Sequence, residues 1–448
     1  MNPPKTTSTN DAAATKPRST TKARAAAKSN SGAKSNSGAK SSTATKGSKA
    51  AVPADLIPIL QEVCEALAPM MREPCSPGER EAAEWIADYM RGRGIKTVDL
   101  EDEPSWGAFQ PTLIAMGSLA LVGAGLALRG RRAAGVLFSG VAAAGIVDEA
   151  QNGPRIARRM LRPQQTTVNV VARTGDPDAE RTLVVLAHHD AAHTGQMFDQ
   201  SLQRKIWERW PSLVERFKTP PGPWWLALAG PVLGALSALT GRKRLALASL
   251  PINAIGTAAM VDMYRSETVP GANDNLSAVA VLAALAQRLR EKPVKGLRVL
   301  LVSCGAEETM QDGIRAFIAR HLDELPLDRT WVLNIETVGS PNLIMVEGEG
   351  PIWMELYTDP SFRDLVAHTA EREKIELDRG YRMRTSTDSV IPSRAGLPTA
   401  TLASLTPWRV PANYHWPTDT PENLDYTTIA DAAELSDAVM RALAAGEA

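Results

Sequence analysis

Cysteine, histidine and net charge are all scarce in this 448-residue chain, and each scarcity excludes something. Three cysteines, Cys64, Cys75 and Cys304, are too few and too unevenly spaced for a disulfide framework or a thiolate zinc site, leaving at most a Cys64–Cys75 bridge. No apolar stretch follows the charged N-terminal residues, so no signal peptide is expected and any membrane attachment must be internal. Basic and acidic residues balance at 50 each, which by itself points to no charged partner. The balance conceals a segregation: ten of the basic residues and only Asp11 of the acids fall in residues 1–50, giving that segment +9 and the remainder −9. Apolar residues at 44% and charged residues at 22% exclude a wholly disordered, collagen-like or coiled-coil chain. At about 150 residues per domain, the length allows two or three domains, or one large domain with insertions.

Residues 1–53 are mostly Ala, Ser, Thr, Lys and Gly, with KSNSGA at 28–33 repeated at 34–39, and hold no aromatic residue and no Leu or Ile. Such a segment cannot offset its ordering entropy by burial and is expected to be a disordered basic tail. Its spread cations, Lys16, Arg18, Lys22, Arg24 and Lys28 among them, suit weak contact with a polyanion, although a solvated spacer is the plainer reading.

Residues 54–448 have the texture of one folded domain with interruptions. Ser76 and Pro77 mark a helix start, with Ala82, Ala83, Ile86, Ala87 and Met90 at helical spacing and Gly92 or Gly94 as the stop. Short β-branched runs at 166–172, 182–187, 297–303 and 330–336 read as strands, with helical stretches at 277–290, 310–321, 360–374 and 427–445 between and after them. The alternation predicts an α/β fold with a central sheet sandwiched by helices.

Two interruptions do not suit a soluble α/β domain. Apolar arms flank the tip RGRR within residues 111–147 and the tip GRKR within residues 221–261, and no arm contains a charge. As helices, arms of about 15–20 residues span about 22–30 Å, close to bilayer thickness. Their Gly and Ala content suits close helix contact in lipid, and Trp224 with Trp225 suit an interface. Insertion of two helical hairpins into a membrane is the expectation, weighed against a buried four-helix subdomain or a hydrophobic lid. Both tips are basic, but more basic residues flank the opposite ends, including Arg155, Arg158, Arg159 and Arg162, which favours a main domain facing the cytoplasm.

Three of the six histidines sit in AHHDAAHTG as His188, His189 and His193. On a strand His188 and Asp190 share a side, so the carboxylate can accept from one ring nitrogen and leave the other for a metal. Asp274 lies in GANDN just before a helix, where alone it would read as a cap. The strand at 297–303 runs into CGAEE, setting Glu307 and Glu308 side by side at a strand end, a costly pairing unless a cation or proton separates them. Glu336 ends another strand in NIETVGS, and Tyr414 and His415 lie in the turn YHWPTDTPEN. Singly, each has an ordinary structural explanation. Together they place two histidines, several carboxylates and a tyrosine at strand ends and turns, where α/β sheets gather ligands, and imidazole with oxygen suits zinc.

HxD, GANDN, GAEE, an acid at a strand end, and YH before TPEN, in that order, resemble the dizinc aminopeptidase family, metallopeptidases related to leucyl aminopeptidase, glutamate carboxypeptidase and glutaminyl cyclase. The likeness covers residues 54–110, 163–200 and 265–445 approximately, and omits the tail and both hairpins. It implies a mixed, mostly parallel sheet of about eight strands, a peptide substrate and two Zn2+ ions, with other divalent metals able to take the same ligands. It also implies His188 and Glu336 on one zinc, Glu308 and His415 on the other, and Asp274 as the bridge. Glu307 would be the general base acting on a metal-bridging water, Asp190 would orient His188, and Tyr414 would donate to the developing oxyanion. Two positions depart from the family's pattern: Glu336 stands where Asp is usual, and Thr387-Asp388-Ser389 replaces a more usual Ser-Asp-His. The second hairpin is inserted between His188 and Asp274, and is expected to wall the cleft and favour apolar or membrane-bound peptides. The expected function is a membrane-associated dizinc exopeptidase, in first place an aminopeptidase. A glutaminyl-cyclase-like acyltransferase and a catalytically silent scaffold are the alternatives.

Overall fold

Nine strands join in one mixed sheet in the computed structural model, which describes residues 55–219, 222 and 224–447. They are β1 (Thr97–Ser105), β2 (Gln165–Gly175), β3 (Thr182–His188), β4 (Arg298–Cys304), β5 (Thr330–Glu336), β6 (Asn342–Glu349), β7 (Glu355–Leu356), β8 (Asp378–Met383) and β9 (Thr399–Leu405). The order is β1-β2-β4-β3-β5-β9-β6-β7, with β8 beside β6. The four central strands β4, β3, β5 and β9 run parallel, and antiparallel pairs flank them on both sides. Sequences such as TLVVLAH and TATLASL can lie at the centre because both faces are apolar or small, and every residue of β3, β5 and β9 is buried.

The helices are α1 (Ile57–Leu67), α2 (Pro77–Gly92), α3 (Gln110–Leu128), α4 (Arg132–Ala150), α5 (Ile156–Leu161), α6 (Ser201–Arg209), α7 (Pro211–Val214), α8 (Trp224–Thr240), α9 (Lys243–Arg265), α10 (Ser277–Glu291), α11 (Asp312–His321), α12 (Pro360–Glu373), α13 (Val390–Arg394) and α14 (Tyr426–Ala445). One sheet face is covered by α1, α2, α10, α12 and α14, which share a large core with alternate residues of β3, β4 and β5. The other is covered by α11 and α13, through Ile314, Phe317, Val390 and Ile391. The start of α2 is capped as its sequence predicts, Ser76 Oγ accepting from the Glu79 N–H at 3.1 Å.

Both hairpins are present, and their helices pack together as a four-helix bundle. Small residues allow the approach: a Cβ on Gly123 would lie 2.4 Å from Ser139 Oγ, and one on Gly230 would lie 2.1 Å from Asn253 Oδ1. Arg132, at the first tip, donates to the Ala238 carbonyl at 2.8 Å and to that of Leu239 at the end of α8, so both tips lie at the same end of the bundle. Val122, Leu137, Val141, Leu226, Leu247 and Ile255 remain exposed on the outside. The bundle is therefore not buried within this chain. Three of its helices, α3, α4 and α9, are long and apolar enough to cross a membrane.

The structure corrects two sequence expectations. Cys64 and Cys75 are both free thiols, and the Cys64 thiol faces the Leu276 carbonyl at 3.7 Å. Arg155 and Arg158 are not surface charges beside the membrane. Arg158 is fully buried against Glu149 and Asp312, and Arg155 against Asp312. Their burial takes two cations from the flanking set, leaving Arg159, Arg162, Arg204, Lys205, Arg209, Arg216 and Lys218 against six basic residues at the tips, so the bias is reduced and not reversed. The tail at 1–53 lies outside the described residues.

Candidate metal centre

The parallel strands β3, β4, β5 and β9 end at one edge of the sheet, and the ligand candidates gather beyond that edge. His188 is the last residue of β3 and Glu336 the last of β5, while Glu307 and Glu308 follow β4. Asp274 arrives from the turn before α10, and His415 from the turn after β9. The side chains converge. One oxygen of Asp274 lies 3.2 Å from His188 Nε2 and the other 3.0 Å from His415 Nε2. Glu336 approaches His188 Nε2 at 3.4 Å, and Glu308 approaches His415 Nε2 at 3.2 Å. Ligand atoms of His188, Asp274 and Glu308 lie within 4.8 Å of one another.

The residues fit a cation. His188 Nε2, Glu308 Oε1 and Glu336 Oε2 are buried without a hydrogen-bond partner, and each such group costs about 1–3 kcal/mol unless something satisfies it. Burial and neighbouring acids raise the pKa values of Glu307, Glu308 and Glu336, the crowding that a bound cation relieves. Burial alone would lower the pKa of His188, but Glu336, Asp190 and Asp274 outweigh it and raise it. Two imidazoles with three carboxylates are a donor set suited to zinc.

Several buried groups hold these turns. Non-glycine residues at them have left-handed backbones, among them Ala306 (φ +50°) before Glu307, Thr337 (φ +46°) after Glu336, and His415 (φ +51°). Such backbones cost of order 1–3 kcal/mol and persist where surrounding contacts enforce them. Asp190 accepts from the N–H groups of Glu307 at 3.1 Å and Glu308 at 2.9 Å, and lies 3.3 Å from His188 Nδ1. Its better hydrogen bonds are thus to the Glu307–Glu308 turn. Asp419 accepts from the N–H groups of Asn273 at 2.7 Å and Asp274 at 3.1 Å. The buried Arg72 donates to the carbonyls of His189 at 2.8 Å and Pro270 at 2.7 Å, tying the β3 end to the Asp274 turn.

Sequence reasoning missed Asp419 and Arg72. Asp419 had a signal, four residues beyond His415 in the same turn motif. Arg72 had none, because its partners are main-chain carbonyls. Of the three clustered histidines only His188 reaches the centre. His189 is buried beside Ser303 with its pKa lowered to about 4 by burial, and His193 bonds Glu73 at 3.2 Å and the Ser266 carbonyl at 2.8 Å. Tyr414 stacks on His415, ring centres 3.9 Å apart, and burial with the nearby acids keeps its phenol protonated. The hairpin bases reach the same region: Gln110 of α3 and Met263 of α9 line a small cavity beside Glu308, together with Glu73 and His193.

Fold and site together define a zinc metallopeptidase. Residues 253–440, which include Asp274, Glu307, Glu308, Glu336 and His415, match the family model of peptidase family M28. The fold is shared with the aminopeptidase from Aneurinibacillus sp. strain AM-1, at 14% identity over 86% of this chain and 93% of that one, with a TM-score of 0.51. A Zn-dependent exopeptidase from Parabacteroides distasonis shares it at 12% identity over 87% and 99% of the two chains, TM-score 0.50. So does the glutaminyl cyclase of Bacteroides thetaiotaomicron bound to N-acetylhistamine, at 11% identity over 86% and 97%, TM-score 0.50. No curated protein matches the sequence.

Proposed function

We propose that the protein is a membrane-attached aminopeptidase working with two zinc ions. The observation that carries this reading is the position of Asp274, one oxygen 3.2 Å from His188 and the other 3.0 Å from His415, each histidine having its own second carboxylate. His188, Glu336 and Asp274 would hold one ion, and His415, Glu308 and Asp274 the other. When bound, such a pair polarises the attacking water and the scissile carbonyl. Glu307, whose Oε2 lies 3.9 Å from His188 Nε2, takes the proton of that water and returns it to the leaving amine. Tyr414 donates to the carbonyl oxygen as negative charge builds there. Asp190 fixes Glu307 and Glu308 through their backbone N–H groups. The bundle, with apolar side chains outward and both tips at one end, supports insertion of the two hairpins from one side. The peptide site then lies near the bilayer and favours apolar or membrane-bound peptides.

The test is hydrolysis of short peptides by the full-length protein in detergent, with and without chelator. Chelator-sensitive release of the first residue is expected from free-amine peptides and not from their N-acetylated forms. Release of the last residue instead, or cyclisation of N-terminal Gln without hydrolysis, would overturn the reading.

A further inference from the structure

Glu307 is joined to the first hairpin by a continuous hydrogen-bond chain, buried at Glu307 and Gln311 and half-buried at Ser386. Gln311 Nε2 donates to Glu307 Oε1 at 2.6 Å and to the Ser386 carbonyl at 3.0 Å. Ser386 Oγ donates to Gln311 Oε1 at 3.0 Å and accepts from Asn152 Nδ2 at 2.6 Å. Asn152 lies in the turn directly after α4, and its Oδ1 accepts from Arg155 at 2.7 Å. Gln311 and Asn152 are both buried, and both have left-handed backbones, φ +65° and +55°. For Gln311 that conformation is costly, and its amide reaches Glu307 from it. Because Oε1 of Glu307 is held by Gln311, the rotation of the carboxylate is fixed with Oε2 on the His188 side.

We propose that Gln311 is a positioning residue for the Glu307 base, and that the first hairpin sets its place through Asn152 and Ser386. The proposal rests on reading Glu307 as the base. It gives the inserted hairpin a part in the reaction besides attachment, since movement at the foot of α4 is transmitted to the base.

The experiment is steady-state kinetics of full-length variants in detergent, with zinc content and melting temperature measured alongside. Gln311→Met keeps the shape and removes the amide. Its kcat should fall by about tenfold to a hundredfold with KM and zinc content unchanged, the loss expected when a reacting group is displaced by about an ångström. Gln311→Asn adopts the left-handed backbone readily but is one methylene too short, and should show the same fall if Gln311→Met does not fold. Asn152→Ala should lower kcat less, and the Gln311→Met/Asn152→Ala double variant no further than Gln311→Met alone. Unchanged kcat in the Gln311 variants, a rise in KM alone, or independent effects in the double variant would overturn the proposal. Glu307→Gln separates the two readings: near-normal turnover there removes Glu307 as the base, whereas its loss beside a fully active Gln311→Met removes only this inference.

Discussion

Glu307→Gln keeps the size of the side chain and removes its basicity, so kcat should fall by about 10²–10⁴-fold while zinc content stays the same. A second prediction concerns Glu349, which is fully buried and accepts from the Thr387 hydroxyl at 3.1 Å. Burial pushes its carboxyl from 4.5 up to about 7. The folded protein therefore keeps this proton to higher pH than the unfolded chain does. Stability from this group is full below pH 4.5 and is lost as pH rises through 7, on the order of 3 kcal/mol. Glu349→Gln should remove that decline, so its urea midpoint gains on the unaltered protein between pH 5 and pH 8. A constant difference across that range would place the proton elsewhere. At this scale the centre was legible wherever a chemical group sat in a short motif at a strand end, as His188, Glu307, Glu308 and Glu336 do, or in a turn, as Asp274 and His415 do. Gln311 and Asn152 were not, because their partners are far away in sequence and an amide carries no chemical signature of its own.

The elements were legible where burial is symmetrical. β2, β3, β4 and β5 fall within a few residues of their apolar runs. β1 was missed because TVDLEDEPS reads as a polar loop. Its acids are answered across the surface, Glu101 by His321 at 2.9 Å and Glu103 by Arg320 at 2.6 Å, as no local pattern shows. The end of α4 was placed early for a similar reason: its apolar run stops at Val147, but Glu149 continues the helix because Arg158 neutralises it inside the protein. Arg158 also donates to the carbonyls of Gly107 and Thr309, so α5 fastens the first hairpin to the turn after Glu308. Arg158→Ala leaves Glu149 and Asp312 buried without this cation and should cost about 3–5 kcal/mol, read from denaturant midpoints. A cost under about 1 kcal/mol, as for an exposed pair, would contradict that burial.

The molecule as a whole combines an α/β metallopeptidase with a bundle whose outer surface is apolar. That surface has a simple physical consequence: large exposed side chains such as Leu137, Leu226 and Ile255 are costly in water and at home in lipid. The protein should stay in the membrane pellet after carbonate treatment and leave it only with detergent; release by carbonate alone would mean that the bundle lies against a surface without entering it. The apolar helices were legible from the charge-free arms, whereas the burial of Arg155 and Arg158 was not, because Asp312, which pairs with both, is far away in sequence. The central claim is that one carboxylate, Asp274, is shared between two metal sites. Zinc per chain in the purified full-length protein tests it most directly: two ions are expected, and a saturated content of one, or none, would contradict it.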